Sequence, residues 1–187
     1  MFSNHERDEA YKAKVGYRNL VETIGLSRIF GLMLGRNQSA IEAGYDGIEQ
    51  SDSVLQLPGR SNCMNWILGH IAVYRDVMLM SIGKKPYVGK RELTLYGYGS
   101  DPIYEDSACV DISRLAEVLD GGHAILSEWL SLVGADFNVE TPHGLYVRKG
   151  DTIGEHLAHL MAHEAIHAGE LGSLRELALV RMGKGWK

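Results

Sequence analysis

The fold is decided by the last long segment of the chain, residues 152–182, which reads TIGEHLAHLMAHEAIHAGELGSLRELALVRM. The segment starts with Thr152 and has Glu155 three residues later, a capping box in which each side chain accepts a hydrogen bond from the other residue's backbone amide. Apolar residues then recur at helical spacing without a proline. A helix of about 30 residues is about 45 Å long, which suits one member of a helical bundle.

Three more segments further up the chain have the same periodicity, and they cover about residues 18–43, 62–82 and 111–133. The chain has only 4 prolines in 187 residues, as long helices require. Residues 84–110 are rich in Gly, Tyr and Pro and are predicted to form a long loop. We therefore predict an all-α protein with a four-helix bundle.

The length fits a single domain. Residues 18–187 are expected to form the bundle, and residues 1–17 an N-terminal extension in which an extra helix fits.

The composition excludes several classes of protein. The net charge is −5, without a block of basic residues, which argues against a nucleic-acid partner. The N-terminus carries no apolar signal core, and no apolar run approaches the ~20 residues of a membrane span. The 2 cysteines, Cys63 and Cys109, are too few for a disulfide framework and are interpreted as reduced thiols. A cytoplasmic protein is expected.

Half of the 8 histidines lie within residues 156–167, namely His156, His159, His163 and His167. Steps of three and four residues keep them on one face of a helix, with neighbours about 5–6 Å apart at Cβ. That spacing lets two imidazoles bind one metal ion. The alternative is a stripe of solvated or hydrogen-bonded histidines. Geometry leaves open whether the pair is His159 with His163 or His163 with His167.

A third ligand must come from another helix, and His70 is the natural candidate. It lies among apolar residues of the segment 62–82, on the expected core face. A buried imidazole needs a polar partner, because leaving it unpaired costs about 1–3 kcal/mol. The alternative is a core histidine bonded to a backbone carbonyl or a tyrosine hydroxyl.

Residues 163–167, HEAIH, also match the H-E-x-x-H pattern of zinc metalloproteases, in which the glutamate, here Glu164, acts as general base. Those enzymes need a third ligand downstream, and the chain has no histidine after His167. An HExxH-type metallohydrolase is therefore the least favoured interpretation.

Two stretches resemble the DinB-like superfamily, which includes the YfiT-like proteins. They are residues 58–70, PGRSNCMNWILGH, and residues 154–175, GEHLAHLMAHEAIHAGELGSLR. The spacing of the four helices over about residues 18–182 is a looser likeness. The resemblance implies a four-helix bundle, a homodimer, and a divalent metal held by His70, His163 and His167. The sequence departs from the commonest family form at Glu170, where Gln is frequent, and at Ala168, where Arg is frequent.

Characterised relatives are thiol-dependent transferases and isomerases that use bacillithiol or mycothiol, and metal-dependent hydrolases. The resemblance therefore suggests a metal-dependent S-transferase or hydrolase with zinc or nickel, a small-molecule substrate and a low-molecular-weight thiol cosubstrate. His159 and Glu170 are the candidate catalytic residues beside the metal. The sequence leaves open whether the protein is an enzyme, and the alternative is a non-catalytic metal-binding or stress-response bundle.

Overall fold

The computed structural model describes residues 4–56, 61–104, 108–132, 135–142 and 150–183, with side chains from residue 25 onward. These ranges contain α1 (Asn4–Tyr45), α2 (Gln50–Ser53), α3 (Met64–Ser81), α4 (Lys90–Tyr96), α5 (Ile112–Ser131) and α6 (Ile153–Arg181). Within them, the only β-type pairing is an isolated bridge between Glu140 and Thr152. The predicted all-α class is confirmed.

Two expectations about helix boundaries need correction. The helix α1 begins at Asn4 and runs without a break through Gly25, so residues 4–17 continue the first helix and do not form an extra one. The segment 84–110 is not a continuous loop, because it contains α4. The division into an extension, 1–17, and a domain, 18–187, stays a prediction.

The four long helices form two parallel pairs that run in opposite directions. The helices α1 and α6 run the same way, since Asn37 bonds the carbonyl of Met161 and Gly44 packs on Leu171 further along both helices. The helix α3 runs opposite to α6, because its end, Ser81, bonds His156 near the start of α6. The helix α5 runs opposite to α1, because Ile112 at its start bonds Gln50, just beyond α1, and Asp120 bonds Gln38 within α1. The first and last long helices therefore point one way and the two between them the other.

The helix α3 lies at the centre of the fold. Every one of its residues except Met80 is buried, because α4, α5 and α6 all pack against it. A helix that is covered on all sides can place polar residues inside the protein only where they find partners. The functional candidates on α3 are therefore held in fixed surroundings.

The capping signals explain where α6 begins. Thr152 Oγ1 accepts a hydrogen bond from the Glu155 amide, and Glu155 Oε2 accepts one from the Thr152 amide at 2.9 Å. The predicted capping box is thus present. Among the described helices, none is long and apolar enough to cross a membrane.

Candidate metal centre

Three histidines from two helices meet inside the bundle. His70 lies on α3, and His163 and His167 lie one turn apart on α6. One ring nitrogen from each lies within 4.8 Å of the others, and Nε2 of His163 is 3.2 Å from Nε2 of His167. The structure thus brings together the three histidines that the resemblance named, and such a group could hold a metal ion.

A backbone carbonyl fixes the orientation of His70. Its Nδ1 donates a hydrogen bond to the carbonyl oxygen of Tyr96 at 2.6 Å, which leaves Nε2 as the nitrogen that can bind a metal. Tyr96 is itself held, because its hydroxyl donates to Asn65 and accepts from the Val110 amide, both at 2.8 Å. The position of His70 therefore depends on the packing of α4 against α3.

A carboxylate orients His167 in the same way. Its Nδ1 donates to Oε2 of Glu170 at 2.7 Å, one turn further along α6. Glu170 is about half exposed and His167 is 16% exposed at the side chain, so this edge of the cluster meets solvent. The carboxylate therefore acts as an acceptor for His167, which leaves the Nε2 lone pair of that ring facing the other histidines.

Burial keeps the other two histidines neutral. It lowers the pKa of His70 from 6.5 to about 4. The pKa of His163 falls from 6.5 to about 4 because of burial and then because of the neighbouring His167 and His70. Only neutral imidazoles bind metal ions, so both rings are in the competent form at neutral pH.

The residues fit a divalent ion on three counts. His70 and His167 each donate Nδ1–H to an oxygen, so Nε2 is the atom of each ring that is available to an ion. Nε2 of His163 and Nε2 of His167 are 3.2 Å apart, a spacing that lets both atoms bind one ion with bonds of about 2.0–2.1 Å. Finally, the three candidate ligand atoms are imidazole nitrogens, the donor set of many catalytic zinc sites. An ion at this point would be held by His70, His163 and His167.

The glutamate of the HEAIH motif does not belong to this centre. Glu164 is 1% exposed, and its Oε2 accepts a hydrogen bond from Nε of Arg75 at 3.0 Å and lies 2.8 Å from Nη2 of the same guanidinium in an ion pair. Arg75 also donates to Gln38 and to the carbonyl of Leu119. The reason is helical geometry, since residue 164 lies about 100° around the helix from residue 163. The metalloprotease role of this residue is therefore not supported.

The other histidines lie apart from the cluster. His156 is buried and its Nδ1 is 2.8 Å from the hydroxyl of Ser81, so it is a core histidine. His159, the second catalytic candidate, is exposed on α6 one turn before His163. His123 lies on α5, half buried, near Ser127. The side chains of His5 and His143 are outside the described residues.

A cavity of about 500 Å³ opens next to residues that contact the cluster, although none of the three histidines is among its lining residues. Glu170, which holds His167, forms part of its wall, and the indole of Trp66 stacks on His70 while donating to Ser100 at the cavity edge. Its other lining residues combine hydroxyl and amide groups with apolar surface: Ser61, Asn62, Ile67, Pro102, Ser173 and Leu174. His159 does not line it. The cavity is large enough for a small organic molecule.

The family follows from a comparison with family models. The model of the DinB superfamily matches residues 36–171, which include all three clustered histidines. The chain belongs to the DinB superfamily. Metal binding by three histidines is in keeping with this family, and the bundle is the fold expected for it.

A solved structure supports the same fold for this DinB-superfamily chain. The crystal structure of a conserved protein from Enterococcus faecalis aligns with a TM-score of 0.60 and 13% sequence identity, over 82% of this chain and 97% of that one. At that identity the likeness shows the fold alone. Among curated proteins, the comparison found no match to this sequence.

Sequence reasoning missed the partners of two candidate residues, the Tyr96 carbonyl that bonds His70 and the Arg75 side chain that pairs with Glu164. The carbonyl of Tyr96 is a backbone group, which every residue has, so the sequence cannot identify it as a partner. Arg75 was detectable, because a charge in a helix predicted to be buried needs a partner. The buried cysteines behave as expected, since Cys63 and Cys109 are both free thiols.

Proposed function

We propose that this protein is a metal-dependent enzyme that transfers a low-molecular-weight thiol to a small-molecule substrate. His70, His163 and His167 hold one zinc or nickel ion in this proposal. The observation that carries it is the convergence of three imidazoles next to a cavity of about 500 Å³, whose wall includes Glu170, the hydrogen-bond acceptor of His167. Three protein ligands leave a coordination position open, as in catalytic sites.

The cavity favours an enzyme over a non-catalytic metal-binding bundle. A protein that only stores or senses a metal needs no room for a second molecule beside it. Here hydroxyl and amide groups from Ser61, Asn62 and Ser173 line the space next to Glu170. Such groups suit a polar, hydroxyl-bearing cosubstrate, while Ile67 and Leu174 provide apolar contact for the acceptor.

The placement of Glu164 favours thiol transfer over hydrolysis. A hydrolase of the HExxH type needs a carboxylate to take the proton from the attacking water. Glu164 is bound to Arg75 in the interior and cannot do this. A bound divalent ion would itself hold a thiol cosubstrate as the thiolate nucleophile, so no dedicated base is needed.

Glu170 and His159 have different parts in this proposal. Glu170 Oε2 accepts the Nδ1 proton of His167, which keeps the Nε2 lone pair of that ring available. Because Glu170 also reaches the cavity wall, it orients the ligand and contacts the substrate space. His159 is exposed and outside the cavity wall, so its role as a base stays a prediction.

We also propose that the protein acts in the cytoplasm as a homodimer. Two buried free thiols suit a reducing compartment. Exposed apolar residues on α1, Ile29 and Leu32, offer surface for a second copy. Light scattering at micromolar concentration should give twice the chain mass of 20.7 kDa, and a value of 20.7 kDa would contradict the dimer.

The function is tested by an activity screen on untagged protein loaded with Zn²⁺ or Ni²⁺. Bacillithiol, mycothiol, cysteine and glutathione are offered with electrophilic acceptors, and loss of the free thiol is followed. We expect metal-dependent turnover that is abolished in His163→Ala. Turnover of ester or amide substrates without thiol would instead favour a hydrolase. A bound metal with no turnover in either assay would favour the non-catalytic bundle.

A further inference from the structure

A second buried acidic group lies on α3 away from the histidines. Asp76 is 1% exposed, and its Oδ2 accepts hydrogen bonds from the backbone amides of Tyr87 and Val88, at 2.7 and 2.6 Å. These bonds tie the segment between α3 and α4 to the bundle. Its other oxygen, Oδ1, is buried and has no hydrogen-bond partner among the described residues.

Asp76 lines a separate cavity of about 300 Å³ between α3 and the segment that leads into α4. Most of the remaining wall is apolar, formed by Val73, Val77, Met80, Pro86 and Leu93. Lys90 is the other charged residue of the lining, and it is exposed and forms no ion pair with Asp76 in the described structure. The lining therefore combines apolar side chains with Asp76, a carboxyl group whose Oδ1 has no hydrogen-bond partner among the described residues.

The two hydrogen bonds from the backbone amides of Tyr87 and Val88 do not explain why residue 76 is a charged aspartate. A single amide oxygen of asparagine could accept both backbone hydrogen bonds, without the cost of placing an anion inside the protein. Burial raises the pKa of Asp76 to about 6, so the group is still mostly ionised at neutral pH. A buried anion is normally paired with a cation or bound to a ligand, and the described residues supply no such partner.

We propose that this cavity is a second ligand site, which binds a small organic cation with an apolar body, such as a protonated alkylamine. The ammonium group donates to Oδ1 of Asp76, and the alkyl chain packs against Val73, Val77 and Leu93. This inference does not depend on the proposed function, because it uses none of the residues of the metal centre.

The test uses hexylamine as probe and hexan-1-ol as its neutral counterpart, on the full-length, zinc-loaded protein at pH 7.5. Binding is followed by NMR at the backbone amides of Tyr87 and Val88, which report on Asp76. We expect saturable shifts with hexylamine and binding of hexan-1-ol weaker by about tenfold or more, the loss expected for a charge-assisted hydrogen bond. A shift confined to the residues around His163 would place the amine at the metal and overturn the proposal.

Three variants complete the test. Asp76→Asn should keep the fold and weaken hexylamine binding by about tenfold or more, since it removes the charge alone. Leu93→Trp should block hexylamine binding by filling the cavity. Lys90→Gln, the control for a change of charge, should bind hexylamine with an affinity equal to or higher than that of the wild type. No saturable shift in the wild type, or equal affinity in wild type and Asp76→Asn, would overturn the proposal.

Discussion

Glu170 controls how His167 is presented to the cluster, because its carboxylate accepts the Nδ1 proton at 2.7 Å. We predict that Glu170→Ala lowers zinc affinity by about tenfold or more, the usual effect of removing such an outer partner. Glu170→Gln should lose less zinc affinity, because its amide oxygen can still accept the hydrogen bond from Nδ1 of His167. Competition with a chromophoric chelator measures the affinities.

The matched control for this prediction is Glu176→Ala, which removes an exposed carboxylate from the same helix. It should bind zinc like the wild type. Equal affinity in Glu170→Ala and wild type would mean that the contact with His167 does not matter for metal binding.

The buried carboxyl of Asp76 should make the stability of the protein depend on pH. Burial raises its pKa from 3.8 to about 6 in the folded protein. A carboxyl with a raised folded pKa adds stability below pH 4, and this contribution is lost as the pH rises through 6. The free energy of unfolding of Asp76→Asn, relative to that of the wild type, should therefore rise by on the order of 2 kcal/mol between pH 4 and pH 7.

Urea denaturation of both proteins at several pH values between 4 and 7.5 measures this gain. The comparison with Asp76→Asn cancels the titration of the histidines, which both proteins share. A stability difference that does not change with pH would show that Asp76 titrates normally.

His70 combines two roles that the sequence presented as alternatives. Its Nδ1 bonds a backbone carbonyl, as in a core histidine, and the same bond leaves Nε2 for the cluster. The sequence could predict that His70 is buried and polar-partnered. It could not identify Tyr96 as the partner. Tyr96 lies 26 residues after His70, and its carbonyl reaches the imidazole only because α4 packs against α3.

At the scale of the elements, the ion pair of Arg75 and Glu164 joins α3 to α6. We predict that Glu164→Gln lowers the free energy of unfolding by about 3 kcal/mol or more, because it leaves the charge of Arg75 buried without a counter-charge. Chemical denaturation measures the loss. Glu128→Gln, an exposed position on α5, is the control and should change little.

This variant also separates two roles for Glu164. A structural ion pair predicts lower stability and retained turnover per folded molecule. A variant that is as stable as the wild type but inactive would instead identify Glu164 as a catalytic base.

The contact between α3 and α4 requires a glycine. A Cβ at Gly69 would lie 2.3 Å from the ring of Tyr96, whose hydroxyl bonds hold it in place. We predict that Gly69→Ala displaces α4, destabilises the protein and weakens zinc binding through His70. Gly172→Ala, on the exposed face of α6 with open space around it, should instead stabilise by about 0.5–1 kcal/mol.

Thermal unfolding and zinc titration of the two alanine variants measure both effects. Wild-type zinc affinity in a folded Gly69→Ala protein would contradict the link from Gly69 through Tyr96 to His70.

The elements show why local patterns predicted some helices better than others. The helix α6 was predictable because Thr152 and Glu155 form a capping box before a long periodic segment. The helix α4 was not, since it has only 7 residues and its N-cap is Gly89, inside a Gly-rich segment. Gly44, one residue beyond the predicted end of the first long helix, lies inside α1, where a Cβ would be 2.7 Å from the Cβ of Leu171.

For the molecule as a whole, the sequence predicted the bundle well, because the periods of four long helices depend only on local residue order. The two cavities could not be predicted in this way. Each is formed where a segment between long helices packs on α3, and that packing depends on contacts between residues far apart in the chain. The central claim is that the packing of α3 against α6 gathers three histidines into one metal site.

The most direct test is the metal content of untagged protein, measured by elemental analysis after dialysis against Zn²⁺. The account predicts one ion per wild-type chain and a large loss of zinc in both His70→Ala and His167→Ala, with helix content nearly unchanged by circular dichroism. The control His123→Ala, on α5, should keep one ion per chain. Full zinc occupancy in a folded His70→Ala protein would contradict the site.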